Sequence, residues 1–222
     1  MRLVTARRAV PRHNVRMSLF DKLFSGRPEE TPESRLPSER LAAVAGSSAA
    51  HDAAHWLRAP TALAQLNEED ALAVVGFMRP RRFSSGTTLI RQGETGDTGF
   101  MVLVLGGEVT VESQQASRTG PVTLSVLGPG SLIGEMALVD GEARSATCTA
   151  STDVSCAVLT RDALVALIAE QPATGAKLMT AIALRLAERL REASLKLQVH
   201  AKLVRTLQQE IDVLMPTPDK RK

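Results

Sequence analysis

The apolar positions along this chain change period twice. Across 61–78 they lie on one side of a helix, with Leu72, Val75, Phe77 and Met78 supplying the apolar side. Asn67 stands at its N-cap, and Glu68, Glu69 and Asp70 fill a first turn that favours negative charge. Pro80 closes the segment. From Arg82 the period shortens. Apolar-rich runs at 87–91, 100–105, 108–113, 121–127, 145–150 and 154–159 are separated by turn residues. Gly106-Gly107 reads as the turn of a hairpin, and Ser151-Thr152-Asp153 as the turn joining the last two runs. Short strands at this spacing predict an antiparallel β-roll or jelly-roll sandwich, so the fold is expected to be mainly β with flanking helices. The pattern lacks the βαβ alternation of a doubly wound sheet.

Helical period returns at Arg161. A short helix over 161–170 is interrupted by Gln171-Pro172, and a long one runs from about 173 to 214, a span of ~63 Å at the usual rise. A heptad fits the long helix. Position a takes Ala183, Leu190, Leu197, Val204 and Ile211; position d takes Met179, Leu186, Ala193, His200, Leu207 and Leu214. That is the seam of a dimeric coiled coil, with His200 as a polar interruption. A second stripe, Leu195, Val199 and Leu203, lies off the seam.

The N-terminal part has weaker patterning. Residues 1–16 carry Arg2, Arg7, Arg8, Arg12 and Arg16 and no acid, which reads either as a targeting or nucleic-acid arm or as sequence upstream of a true start at Met17. Leu19, Phe20, Leu23 and Phe24 then make a short apolar face, and Pro28, Pro32 and Pro37 mark a linker to about Ser48. His51 and His55, with Asp52 beside them, have metal-pair spacing but no third ligand in view, so a structural helix turn is the preferred reading. The expected organisation is a flexible extension over 1–60, a β-roll with flanking helices over 61–170, a long lid and dimerisation helix over 171–215 and a tail over 216–222.

Composition removes several classes of function. At 222 residues and 44% hydrophobic content the chain supports one real core. Aromatics are 3% with no Tyr, which disfavours stacking on single-stranded nucleic acid. The net charge is +3, but setting aside the five arginines of 1–16 leaves 22 basic residues against 24 acidic, a balance of −2. The body is therefore not a basic DNA-binding surface, and no direct DNA contact is expected of it. No run reaches the roughly 20 apolar residues of a membrane span. Cys148 and Cys156 read as small core hydrophobes rather than a redox pair, and a reducing cytoplasm is the expected location.

The chemistry concentrates in GSLIGEMALVDGEARSATCTA, residues 130–150. Glu135 and Arg144 lie nine positions apart, with the apolar run 136–139 between them. Arg supplies a fork of donors for phosphate oxygens, a helix start adds backbone N–H groups, and a carboxylate accepts from hydroxyls. These parts suit a small anion carrying sugar hydroxyls. Gly128-Pro129-Gly130 with Gly134 is not a dinucleotide loop: the spacing is wrong, Pro129 lacks an N–H, and the context is all-β. No P-loop pattern occurs, and no His between 56 and 199 is available for a hydrolase triad.

With these residues in place the segment from Arg82 to about Ser194 resembles the cyclic nucleotide-binding domain of the catabolite-activator and protein-kinase-regulatory superfamily. The resemblance rests on Phe83-x-x-Gly86, Arg91-Gln92-Gly93-Glu94-x-Gly96-Asp97, Gly107-Glu108-Val109-Thr110-Val111, Ile133-Gly134-Glu135-Met136-Ala137-Leu138 and Arg144-Ser145-Ala146. It implies that Arg144 pairs with the phosphate oxygens and Glu135 accepts from the ribose 2′-OH. Gly134 would then let the backbone approach the sugar, Met136 and Ala137 lend N–H groups, and Ser145 adds a donor. Arg191 and Ser194 are the implied lid candidates. The expected function is a non-enzymatic cyclic mononucleotide receptor with cAMP as ligand, no cofactor and no metal. It would act as a homodimer signalling to an effector protein through its long helix and N-terminal segment. cGMP or a cyclic dinucleotide stays open as ligand, and the alternative is a ligand-free coiled-coil scaffold.

Overall fold

The computed structural model describes residues 31–60, 62–96, 98–113 and 122–214. The arginine-rich arm, the apolar turn after Met17, the loop 114–120 and the tail fall outside these residues.

Two antiparallel sheets form the body. Strands β1 (Arg79–Phe83), β2 (Thr88–Ile90), β3 (Phe100–Gly106), β4 (Val109–Ser113), β5 (Val122–Leu127), β6 (Leu132–Ile133), β7 (Thr147–Ala150) and β8 (Val154–Thr160) divide into the orders β1-β8-β3-β6 and β2-β7-β4-β5. Side-chain alternation explains the first sheet. Phe100, Val102 and Val104 of β3 pack with Val154, Cys156 and Val158 of β8 in the core that also takes Leu89, Ile90, Val109, Cys148 and Ala150 from the second sheet. The intervening Met101 and Leu103, with Ala157 and Leu159, enter a second core shared with the helices. A sheet covered on both faces has near-continuous apolar strands, which is why β3 reads FMVLVLG. In β7 only Cys148 and Ala150 are buried, while Thr147 and Thr149 are partly exposed, the alternation of a sheet with one wet face.

Two turns differ from their sequence reading. β3 and β4 lie in different sheets, as do β7 and β8, so Gly106-Gly107 and Ser151-Thr152-Asp153 are corners where the chain changes sheet, not hairpin turns. The corners interlock. Glu108 N donates to Thr152 Oγ1 at 3.0 Å and Ser151 N donates to Glu108 O at 2.8 Å. Gly107, at φ 83°, faces the Asp153 carbonyl so closely that no Cβ would fit.

The helices cover the first sheet. They are α1 (Pro37–Ala45), α2 (Ser48–Leu57), α3 (Glu68–Gly76), α4 (Glu135–Asp140), α5 (Arg161–Glu170) and α6 (Pro172–Leu214). Asn67 caps α3 by accepting from Asp70 N at 2.8 Å, as its position predicts. Residues 31–57 correct the sequence reading: they are not a linker. Pro37 sits in the first turn of α1, where a missing N–H costs nothing, and Ser47 caps α2. Ala53, Ala54 and Leu57 of α2 are core residues, each buried leucine of this kind contributing about 1.5–3 kcal/mol. Arg40 is buried, pairs with Glu170 at the end of α5, donates to Pro32 O at 2.8 Å and lies 4.3 Å over the Phe77 ring. His51 and His55 are exposed on α2, and no metal-ligating cluster occurs among the described residues.

The long helix has two parts. Thr174, Leu178, Ala181 and Ile182 are buried against the body, and Asp70 accepts from Thr174 Oγ1 at 3.1 Å and pairs with Lys177 at 2.7 Å. Met179 and Leu186 pack against the edge of the same core. Beyond them Leu190, Leu197, Val204, Leu207, Ile211 and Leu214 are exposed, and so are Leu195, Val199 and Leu203. The stripe that packs on the body therefore runs over 174–186.

Candidate functional site

The site is built at the end of β6. Gly134 occupies the left-handed region at φ 82° and starts α4, and Gly141 ends that helix at φ 76°. Only six residues of helix lie between two backbone reversals, so α4 is a fixed short turn with Glu135 as its first residue. The loop after α4 leads through Arg144 and Ser145 into β7.

Arg144 is locked from both sides. Its N donates to Glu94 O at 3.0 Å, and its carbonyl accepts from Gly93 N at 2.8 Å. The Arg91-Gln92-Gly93-Glu94 motif thus has a definite task, reinforced by Gln92 N donating to Thr147 Oγ1 at 3.0 Å. The guanidinium is 5% exposed, lies 4.3 Å over the Phe100 ring, and donates to Gly134 O at 3.1 Å and Phe100 O at 3.0 Å. A Cβ at position 134 would collide with this guanidinium, which explains the glycine. Burial pushes Arg144 below the ordinary arginine range, opposed by Cys148, Glu94 and Glu135; arginine keeps its charge in proteins. The neighbouring Cys148 thiol is raised by burial to about 12, so it is a neutral core group.

Glu135 is 2% exposed, and its Oε1 accepts from Arg189 Nη1 on α6. Met136 is 44% exposed, Ala137 is buried and Ser145 is exposed beside Arg144. The structure therefore brings Gly134, Glu135, Met136, Ala137, Arg144 and Ser145 onto one short helix and the loop that follows it. It does not bring Arg191 or Ser194 there. Both are exposed, and Ser194 Oγ donates back to Leu190 O of its own helix at 2.9 Å. Two helix positions turn about 200°, so Arg191 and Arg189 lie on opposite faces. The signal for Arg189 was the packing stripe: stepping from Leu178 through Ile182 and Arg185 by helical spacing reaches it.

A cavity of about 540 Å³ lies elsewhere, between α1, α2 and β1, with Arg40, Val44, Ala53, Met78 and Leu105 in its lining. It contains neither Glu135 nor Arg144, and the chemistry places the site at α4.

A β-roll that sets a buried Glu and a buried Arg around one short helix defines a class of anion-and-hydroxyl binding domain. Comparison with known proteins agrees: residues 80–171 match the model of the cyclic nucleotide-binding domain. The chain is 37% identical over 132 residues to the cyclic AMP receptor protein of Thermus thermophilus, covering 60% of this chain and 57% of that one. Among solved structures, a cyclic nucleotide-binding domain from Methylobacillus flagellatus superposes with a TM-score of 0.59 at 28% identity over 68% of this chain and 84% of that one. The N-terminal domain of a transcriptional regulator from Streptomyces coelicolor gives 0.53 at 30% identity, covering 60% and 94%. Residues 80–171 belong to the cyclic nucleotide-binding domain family. The chain spans little more than half the length of the Thermus receptor, so that protein's activity as a whole does not transfer with the match. Among the described residues no helix is long and apolar enough to cross a membrane.

Proposed function

We propose that this protein is a non-enzymatic receptor for a cyclic mononucleotide, cAMP being the expected ligand, that signals to a partner protein from the cytoplasm. The observation that carries the reading is Arg144. Its guanidinium is buried and hydrogen-bonded to two carbonyl oxygens, and no carboxylate among the described residues lies within ion-pair distance of it. A buried cation held by neutral acceptors is costly, and a phosphodiester oxygen pair would offset that cost with charge-assisted bonds. Glu135, a few residues away, is the acceptor for a ribose hydroxyl, and the N–H groups of Met136 and Ala137 and the Ser145 hydroxyl complete the set. Binding a diester in this way needs no nucleophile or metal.

Output follows from Arg189. The residue that accepts the ribose also holds α6, so ligand and helix position share one carboxylate and their equilibria are coupled. The exposed seam from Leu190 to Leu214 is the surface on which α6 would meet a second copy, and the receptor is proposed to act as a homodimer. That same stripe favours a second reading, a coiled-coil scaffold in which the pocket is idle. Titration calorimetry against cAMP, cGMP and cyclic di-GMP, reaching millimolar, separates the two. Heat with a cyclic mononucleotide supports the receptor; silence with all three while the dimer persists supports the scaffold.

A further inference from the structure

The short helix that carries Glu135 is held at its other end by a residue the nucleotide contacts do not include. Arg161, the first residue of α5, donates from Nη2 to Ala137 O at 2.8 Å and to Leu138 O at 3.0 Å, and from Nε to Leu138 O at 3.2 Å. Its own N donates to Gly99 O at 2.6 Å. Two glycines make room for it. A Cβ at Gly141 would stand 3.0 Å from Arg161 Nη1, and one at Gly99 would stand 3.2 Å from Arg161 Cβ. Thr98 Oγ1 adds a bond to Gly141 O at 3.2 Å.

A six-residue helix makes few bonds of its own. Leu138 N reaches Gly134 O and Gly141 N reaches Ala137 O, leaving carbonyls at the C-terminal end that need outside donors. A cationic side chain there satisfies them and matches the helix dipole. Arg144 does not depend on this clamp, since its guanidinium is fixed by Gly134 O, Phe100 O and the Phe100 ring.

We propose that Arg161 is a positioning residue for the sugar half of the ligand: by clamping the end of α4 it sets the direction of Glu135, while the phosphate half is set separately by Arg144. The inference rests on the receptor reading above. It also links the site to α5, the helix that leads directly into α6.

The test compares wild type, Arg161→Ala and Arg161→Lys, each titrated with cAMP and with 2′-deoxy-cAMP. Wild type is expected to prefer the ribose form by about tenfold or more, the scale of one hydrogen bond to a charged group. In Arg161→Ala that ratio collapses toward one because cAMP weakens and 2′-deoxy-cAMP barely changes. Arg161→Lys, which keeps one cationic donor, recovers part of it. Equal weakening of both ligands, or an unchanged ratio, overturns the proposal, because a merely stabilising residue would act on both alike. Gly141→Ala displaces the guanidinium without removing it and provides a second variant, with the same collapse expected. Amide exchange in the ligand-free protein separates the failure of this inference from that of the receptor reading. Arg161→Ala should speed exchange at Leu138 and Gly141 by at least tenfold and leave β3 amides unchanged. Unaltered exchange there refutes the clamp whatever the ligand proves to be, whereas a wild type that binds no cyclic nucleotide refutes the receptor.

Discussion

Gly134→Ala is the most informative single perturbation of the site's architecture. The residue sits at φ 82°, where an L side chain costs about 1–2 kcal/mol. Its Cβ would also lie 3.1 Å from Phe100 O and 3.2 Å from Ile90 Cδ1, and would overlap the Arg144 guanidinium. Both neighbours are buried, so neither can retreat into solvent. Displacing the guanidinium breaks its bonds to Gly134 O and Phe100 O, each worth about 1–1.5 kcal/mol net. The combined destabilisation is about 3–5 kcal/mol. For a domain of this size, that lowers the melting temperature by roughly 6–20 °C. Thermal unfolding followed by circular dichroism measures the first effect, and titration of cAMP below the transition measures the second, an affinity at least about tenfold weaker. A variant that melts within about a degree of wild type and binds as well would refute the packing argument for position 134.

Two further outcomes follow from the rest of the fold. Cys148 and Cys156 are both pushed by burial from their ordinary 9.0 to about 12. Thiol reagent at pH 8 should therefore label them only at the rate of unfolding, and fast labelling of the native protein would contradict the buried placement. The same shift fixes a sign: the unfolded chain loses these protons first, so the thiols' contribution is intact below pH 9 and is lost as pH rises from 9 towards 12, which alkaline melting curves would show. In the long helix, Leu197→Asp puts a charge into the exposed seam, and sedimentation should show a dimer converted to monomer with the β-roll's circular dichroism unchanged; an unaltered dimer would move the interface off this seam.

Much of this is legible in the sequence. Short apolar runs between turn residues marked six of the strands but neither β1 nor β6, Asn67 announced the start of α3, and the Gly134-Glu135 pair opens α4 while Arg144-Ser145 lies in the loop after it. What escaped is what depends on the third dimension. Gly106-Gly107 looks the same in sequence whether the chain folds back beside itself or crosses to the other sheet, and only the pairing of β3 with β8 and β6 decides. The prolines at 32 and 37 resemble linker punctuation because a helix's first turn tolerates proline as readily as a loop does. Arg189 and Arg161 escaped for a common reason. Each is an ordinary surface arginine by composition, and its partner lies 54 or 24 residues away in sequence.

The central claim is that Arg144 carries the charge of a bound cyclic phosphodiester. Calorimetric titration of wild type and Arg144→Ala with cAMP tests it directly. Truncating one side of a buried charge pair costs about 2–5 kcal/mol, so the account predicts measurable binding by wild type and a loss of roughly a hundredfold or more in the variant. Binding of equal strength by both proteins, or no heat from wild type with cAMP or cGMP up to millimolar concentration, would contradict it.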